Sequence, residues 1–144
     1  VINGGTMITP HFGVSISDTE TQKKTNIRYT SKKNVISKET SDVMKNVLET
    51  VVSEGGGKKA AIEGYKVGAK TGTSEKLPRR SGKYIASCMG FAPAQNPKVI
   101  ALVLIDEPSG IYYGGTIAAP VISKLLDDIL PYVDGKEDYG YSGN

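Results

Sequence analysis

The sequence has little of several residue types, and each shortage excludes a class of protein. One cysteine, Cys88, cannot close an internal disulfide, and together with a single histidine, His11, it does not supply the usual ligand set of a zinc site. Tryptophan is absent, and no apolar run approaches the roughly 18 residues of a membrane-spanning helix. We therefore expect no metal and no cofactor, a buried structural Cys88, and a structural or surface role for His11.

The composition that remains is that of a soluble globular protein. Its 144 residues, 38% hydrophobic and 23% charged, suffice for one domain with a core. Lys and Arg number 18 against 15 Asp and Glu, and the lysines form scattered pairs without interleaved aromatic residues, which argues against a nucleic-acid partner. The chain begins at Val1 without an initiator methionine or a signal peptide. We expect an excised piece of a longer protein, with any anchor outside it.

Short extended segments followed by one helix are predicted in the first part of the chain. The extended segments fall at residues 6–9, 13–17 and 27–30. Ser37 is a predicted helix N-cap, and Gly55–Gly57 end that helix because glycine adopts the left-handed cap conformation without steric cost. The predicted apolar stripe of the helix comprises Val43, Met44, Val47, Leu48, Val51 and Val52.

Three strands follow, at residues 65–73, 84–92 and 99–105. The last is a continuous apolar run and is therefore predicted to be buried on both faces. Residues 93–98 contain two prolines and suit a hairpin turn, so the second and third strands should be antiparallel neighbours.

A second helix follows Gly115 and is predicted to end at Pro131, because proline cannot continue a helix. Residues 1–131 would then form the domain, and residues 132–144 a flexible tail or linker. The predicted apolar stripe of this helix comprises Ile117, Val121, Ile122, Leu125, Leu126, Ile129 and Leu130.

The run from Lys70 to Ser74, Lys-Thr-Gly-Thr-Ser, is the feature that carries chemistry. On a strand Lys70, Gly72 and Ser74 point to one face and the two threonines to the other. Lysine supplies a positive charge, glycine leaves room for a substrate, and the free N–H groups of an edge strand can stabilise an oxyanion or pair with an extended peptide. Lys-Thr-Gly is one of the signature elements of β-lactamases and penicillin-binding proteins.

A phosphate-binding loop is an alternative interpretation of the same run. Gly64, four residues, then Ala69, Lys70 and Thr71 come one glycine short of the G-x-x-x-x-G-K-[ST] pattern. Such a loop must open a helix, and residues 72–78 have no apolar periodicity and end in proline. A nucleotide-binding module is therefore the least favoured function.

Nearly the whole chain resembles the C-terminal half of the transpeptidase domain of class B penicillin-binding proteins, particularly the sporulation and division types of Gram-positive bacteria. The order before Lys70 departs slightly, since Gly68-Ala69 stands where the family has glycine directly before the lysine. The segments that carry the resemblance are Asn3–Thr6 with Thr9–His11, Val51–Gly57, the lysine run, Tyr84–Pro93 and Tyr112–Val121.

The resemblance implies an α+β fold, an antiparallel sheet of five strands covered by helices, and a serine acyltransferase that cross-links peptidoglycan stem peptides and is acylated by β-lactams. Lys70 would orient the substrate carboxylate and the proton network. Thr71 would supply the motif's hydroxyl, Gly72 clearance, and Thr73 a carboxylate-binding hydroxyl and an oxyanion-binding N–H, with Ser74 adjoining. The loop at residues 75–82 would border the cleft.

The nucleophile of such an enzyme is missing from the sequence. No serine has a lysine three positions later, and the Ser-x-Asn triplet Ser142–Asn144 falls after the last helix, where we attribute it to chance. We therefore expect a catalytically silent fragment that needs the N-terminal half of its domain and self-associates without it. The parent would be membrane-anchored outside the cytoplasm, with a glycan polymerase as a possible partner. A non-enzymatic β-lactam sensor domain remains the alternative.

Overall fold

The computed structural model describes residues 1–134, divided into two compact units, residues 1–43 and the residues from 44 onward. The Ser-x-Asn triplet and the part of the predicted tail from residue 135 lie outside the described residues. Within residues 1–134 no helix is both long enough and apolar enough to cross a membrane.

The first unit contains two short antiparallel ribbons. Strand β1 (Met7–Ile8) pairs with β4 (Ser31–Lys32), and β2 (Ser15–Ser17) pairs with β3 (Lys24–Asn26). The predicted segment at residues 27–30 is therefore wrong, because the ladders use the polar residues on either side of it. Lys24–Asn26 are polar and show no alternation of apolar residues, so the sequence does not indicate that they pair as a strand.

His11 and Gly5 each make a close contact that fixes the backbone of this unit. The His11 ring stacks on Tyr29 with centroids 3.7 Å apart, and its Nδ1 lies 2.7 Å from the Thr9 carbonyl oxygen. Gly5 has a φ of +86°, and a Cβ there would lie 2.0 Å from the carbonyl oxygen of Ile36. His11 is exposed and has the structural surface role that the sequence predicts.

Helix α1 (Lys38–Ser53) begins and ends as predicted. The hydroxyl of Ser37 accepts a 3.1 Å hydrogen bond from the Thr40 N–H, three residues later, which is the bond of an N-cap. The helix ends just before Gly55–Gly57. Of its predicted stripe, Leu48 and Val52 are buried, whereas Val43 and Val47 remain exposed.

The second unit is built on a three-stranded antiparallel sheet in the order β5 (Gly68–Glu75), β6 (Tyr84–Ala92), β7 (Val99–Asp106). Lys70 pairs with Met89, and Cys88 with Val103. Both β6 and the hairpin to β7 confirm the predictions, while β5 starts three residues late because Tyr65 turns back to bond Ile62. Residues 1–134 form three strands of this sheet, whereas the resemblance implies five.

One face of this sheet packs under helix α3 (Ala119–Val133), which follows the short helix α2 (Gly114–Ile117). We call it the packed face. The helix row Ile122, Leu126 and Leu130 is fully buried, as are Ala86 and Cys88 of β6. The α+β class and the buried Cys88 are thus confirmed.

The other side of β7 carries Ile100, Leu102 and Leu104, which are 57%, 60% and 62% exposed. We call these three residues the open face. The prediction that β7 is buried on both faces is therefore wrong, because α3 covers one side of it. Phe91 of β6 points to the same side but is buried beside Gly68, where a Cβ would lie 2.2 Å from its ring.

The predicted end of the second helix is also wrong. Pro131 lies inside α3, which continues to Val133, and the Asp134 N–H closes the last turn on the Leu130 carbonyl at 2.9 Å. A proline in the last turn removes one helical hydrogen bond, while the residues after it keep theirs. Tyr132 and Val133 thus belong to the helix and not to a tail.

Candidate functional site

The Lys-Thr-Gly run lies on strand β5, at the edge of the sheet. The strand continues through Gly72 to Glu75. A phosphate-binding loop would require a helix to begin here, so the nucleotide-binding alternative is wrong for this chain. An edge strand leaves one row of backbone N–H and C=O groups outside the ladder, available to a ligand.

Thr71 and Thr73 line a cleft of about 390 Å³. Two further segments complete its walls: a 3₁₀ turn at Lys58–Ala60 with the loop before it, and the start of α2. The volume is within the range of small-molecule and short-peptide sites. The lining residues are Gly56, Lys58, Lys59, Thr71, Thr73, Tyr113, Gly114, Gly115 and Thr116.

Two glycines at the start of α2 allow the walls to come together. A Cβ on Gly114 would lie 2.1 Å from the Ser87 carbonyl oxygen, and one on Gly115 would lie 2.4 Å from the Gly56 carbonyl oxygen. Real side chains do not tolerate such distances. The start of α2 therefore lies directly on the sheet and against the Gly56 loop only because both positions lack a side chain.

The hydroxyl of Thr73 is fixed by this contact. The Gly114 N–H donates to Thr73 Oγ1 over 3.2 Å, which uses one of the lone pairs of the oxygen. The O–H of Thr73 is still able to donate to an anionic ligand in the cleft. The backbone of α2 thus orients a donor supplied by β5.

Lys70, Gly72 and Ser74 belong to the opposite face of β5, as the alternation predicts. The Lys70 side chain is exposed, and its ammonium donates to the carbonyl of Thr71. A Cβ on Gly72 would lie 2.6 Å from Ser87 Oγ, so on this face the space beside Gly72 is used by Ser87. The structure therefore brings two of the five predicted residues into the cleft, Thr71 and Thr73.

Three tyrosines stack beside the cleft. The ring of Tyr112 lies 4.1 Å from that of Tyr84 and 4.7 Å from that of Tyr113, which lines the cleft. A hydrogen bond with Tyr113, followed by the charge interactions with both neighbours, raises the pKa of Tyr112 above its ordinary value. Of the three tyrosines, Tyr113 places its aromatic ring at the wall of the cleft.

The loop after β5 is held to the end of β7 by ion pairs. The Lys76 ammonium contacts Asp106 at 2.9 Å and Glu107 at 2.7 Å, and Lys83 contacts Glu107 at 3.0 Å. These bonds from Lys76 and Lys83 lower the pKa of Glu107, and the pKa of Lys76 is raised by its bonds to Glu107 and Asp106. The cleft is lined by β5, α2 and the 3₁₀ turn rather than by this loop, which corrects the sequence prediction.

Sequence reasoning missed Lys58, Lys59 and Thr116 as lining residues. The lysine pair follows three glycines and precedes Ala60, a pattern that indicates a tight turn, but its nearness to β5 depends on the contact between Gly115 and Gly56. In the described part of the chain no three His, Cys, Asp or Glu side chains come close enough to hold a metal ion. The arrangement is suited to binding an anion through hydroxyls and ammonium groups.

Proteins similar to this chain identify its family. The model of the penicillin binding protein transpeptidase domain matches residues 1–127. The chain is 44% identical over 137 residues to stage V sporulation protein D of Bacillus subtilis, covering 90% of this chain and 21% of that protein. It is 45% identical over 90 residues to the peptidoglycan D,D-transpeptidase FtsI of Escherichia coli, covering 59% of this chain and 15% of that one.

Solved structures agree. The D,D-transpeptidase domain of a peptidoglycan glycosyltransferase from Eggerthella lenta matches with a TM-score of 0.72 at 27% identity, over 94% of this chain and 30% of that one. The transpeptidase domain of penicillin-binding protein 3 from Burkholderia pseudomallei matches with a TM-score of 0.62 at 36% identity, over 82% of this chain and 35% of that one. This chain therefore belongs to the transpeptidase domain family of class B penicillin-binding proteins, and it spans about a third of these solved chains.

Proposed function

We propose that this chain is the lysine-strand part of a penicillin-binding D,D-transpeptidase that cross-links peptidoglycan stem peptides. The observation that carries the proposal is the cleft in which Thr71 and Thr73, on an edge strand, face the start of α2. The relatives named as D,D-transpeptidases support the reaction, and since this chain spans 15% of the Escherichia coli relative we infer that it supplies one part of the site.

The carboxylate of a stem peptide or a β-lactam binds to the threonine hydroxyls. Thr73 Oγ1 accepts a hydrogen bond from the Gly114 N–H, so its own O–H remains available to donate to the ligand. A hydrogen bond from a neutral hydroxyl to a carboxylate is charge-assisted and stronger than a neutral one. Thr71 lines the same cleft and supplies the second hydroxyl.

The backbone N–H of Thr73 serves as an oxyanion donor. Residues two apart on a strand direct their N–H and C=O groups to the same edge, and the Thr71 carbonyl is reached by the ammonium of Lys70. Thr73 therefore shares that edge of the sheet. One such donor contributes about 2.7–4 kcal/mol to stabilisation of a tetrahedral intermediate.

Lys70 supplies a positive charge at the same edge of the sheet. Its ammonium has three donors and contacts one carbonyl, that of Thr71, so it retains donors for a substrate carboxylate and for the proton network of the nucleophile. Its position on the far face of β5 directs it toward the part of the site that the remainder of the domain supplies.

The nucleophile and general base come from the N-terminal half of the same domain. The open face of β7 is the surface on which that half packs, since three large apolar side chains there are more than half exposed. Without this cover the isolated chain is catalytically silent and self-associates. In the parent, a membrane anchor holds the domain outside the cytoplasm, where a glycan polymerase is a possible partner.

Incubation of the chain with a fluorescent penicillin, followed by intact-mass analysis, tests the missing nucleophile. We expect no covalent adduct, and a stoichiometric adduct would show that a serine of this chain is the nucleophile. Amide shifts in an NMR titration with the same penicillin test the cleft. Shifts at residues 71–74 that disappear in Thr73→Val and persist in the control Thr25→Val support the proposal, and shifts confined to other residues contradict it.

A further inference from the structure

Lys58 and Lys59 extend from a turn that is fixed to the core of the second unit. Ala60, the last residue of the turn, is fully buried, and its N–H donates to the Gly57 carbonyl at 2.8 Å. Ser123 of α3 donates its hydroxyl to the Ala61 carbonyl at 2.7 Å. The two lysines therefore start from a rigid base, although their side chains are exposed.

The position of this turn beside β5 is determined by glycine contacts. The Gly56 carbonyl oxygen would lie 2.4 Å from a Cβ on Gly115, so the loop before the turn approaches the start of α2 too closely for any side chain at Gly115. Both lysines consequently line the same cleft as Thr71 and Thr73. The cleft combines hydroxyl donors at one wall with two ammonium groups at another.

Neither lysine forms an ion pair within residues 1–134, although Glu49 and Lys58 line a neighbouring pocket together. Lys38, Lys76, Lys83 and Lys98 each contact a carboxylate within 3.0 Å, whereas neither Lys58 nor Lys59 has a carboxylate partner anywhere in residues 1–134. Among the described residues that line the cleft there is no Asp or Glu. An anionic group that enters the cleft thus meets two ammonium groups and no carboxylate on its walls.

We propose that Lys58 and Lys59 form a second anion-binding point, which selects peptides that carry another carboxylate besides the one at their C-terminus. This inference rests on the proposed function, in which the C-terminal carboxylate occupies Thr71 and Thr73. The second carboxylate then pairs with the lysines across the cleft. The two lysines determine specificity and take no part in the acyl transfer.

The test compares peptides that differ only in the second carboxylate. N-acetyl-Gly-D-Ala-D-Ala carries one carboxylate, and the N-succinyl and N-glutaryl versions carry a second on tethers of two lengths. NMR titration of the 144-residue chain at low salt follows the amides of Lys59 and Thr73 together. We expect at least one of the two diacids to bind about two- to fivefold tighter than the acetyl peptide, the range for exposed ion pairs.

Two double variants that remove the same charge show whether Lys58 and Lys59 cause the preference for the diacids. Lys58→Gln/Lys59→Gln should abolish the preference for the diacid, whereas Lys23→Gln/Lys24→Gln, which removes the same charge outside the cleft, should retain it. Equal affinity for all three peptides in the unaltered chain overturns the inference, as does a preference that survives in Lys58→Gln/Lys59→Gln. Added salt should reduce the preference.

The same titration separates this inference from the function on which it rests. If the acetyl peptide shifts Thr73 and the diacids bind no better, the proposed function stands and the lysine site is refuted. If the diacids shift Lys59 and no peptide shifts Thr73, the lysines bind anions and the proposed function is refuted. If no peptide shifts either amide, both are refuted.

Discussion

The two sides of strand β7 are both largely apolar but have opposite surroundings. Val103 and its neighbours on the packed face lie against the buried row of α3, whereas Leu102 and its neighbours on the open face are mostly exposed. An apolar side chain on a strand is therefore suited to burial, but it is buried only where another element of the structure packs against it. A strand that is apolar on both sides is typical of a sheet covered on both faces.

The difference agrees with the length of the relatives. The chain spans 30% of the Eggerthella lenta chain that it matches at a TM-score of 0.72. The packed face is completed by helices of this chain. The open face is exposed, and this exposure is the basis of our proposal that the remainder of the domain packs on it.

Truncation of one leucine on each side should show the largest effect. Leu126→Ala removes a fully buried side chain of the packed face and should cost about 2–5 kcal/mol of unfolding free energy. Leu102→Ala on the open face should change it by less than about 0.5 kcal/mol. Urea denaturation of dilute protein measures both, and equal losses would contradict the comparison.

Filling the glycine contact over the packed face should have the next largest effect. Gly114→Ala places a methyl group 2.1 Å from the Ser87 carbonyl oxygen and should destabilise the chain by about 1–3 kcal/mol. Gly56→Ala is the matched control, since a Cβ there meets nothing within 4 Å. Thermal unfolding followed by circular dichroism distinguishes them, and a neutral Gly114→Ala would show that α2 can shift freely.

Charging the open face should change association more than stability. Leu102→Lys/Leu104→Lys should convert a self-associating chain into a monomer, because two ammonium groups cannot be buried in an apolar contact. Val121→Lys/Leu125→Lys, on the exposed row of α3, adds the same charge elsewhere and should leave association intact. Light scattering over a concentration series measures this. An unaltered chain that stays monomeric at high concentration refutes the self-association.

The smallest effect is expected at the polar end of the sheet, where Glu107 contacts Lys76 and Lys83. Its pKa is lowered in the folded state, so its contribution is present above the unfolded value of 4.5 and is lost as pH falls through the folded value. The raised pKa of Lys76 gives a contribution that is present below 10.5 and lost as pH rises through the folded value.

Glu107→Gln should therefore lower the melting temperature slightly at pH 7, with a difference from the unaltered chain that disappears at acid pH. High salt should reduce the same difference. Glu63→Gln, an exposed carboxylate outside this cluster, is the control and should show neither dependence. Identical pH profiles for the Glu107 variant and the unaltered chain would show that the ion pairs contribute nothing.

The elements that the sequence predicted well are those with local signals. Strand β6 matches its prediction at both ends, because its branched and aromatic residues stop at Pro93. The Ser37 cap is similarly local. Each helix has two adjacent apolar rows, and the sequence could not tell which row would be covered: Ile122 is buried while Val121 remains exposed.

Only part of the cleft could be predicted from the sequence, because the rest depends on contacts between residues that are far apart in the chain. The alternation along β5 correctly separated Lys70 from Thr71, because it depends on strand geometry alone. The approach of Lys58 depends on how two backbones meet at Gly115, far along the chain, and a single sequence contains no period or spacing that encodes such a contact.

Cys88 provides a built-in reporter of the helix and sheet coming apart. Its thiol is fully buried on the packed face, and burial raises its pKa despite an opposing influence of Lys70, so the reactive thiolate is suppressed for two reasons in the intact fold. It is the only sulfhydryl in the sequence. The rate at which an alkylating reagent modifies this chain therefore measures how often α3 lifts from the sheet, without any engineered label.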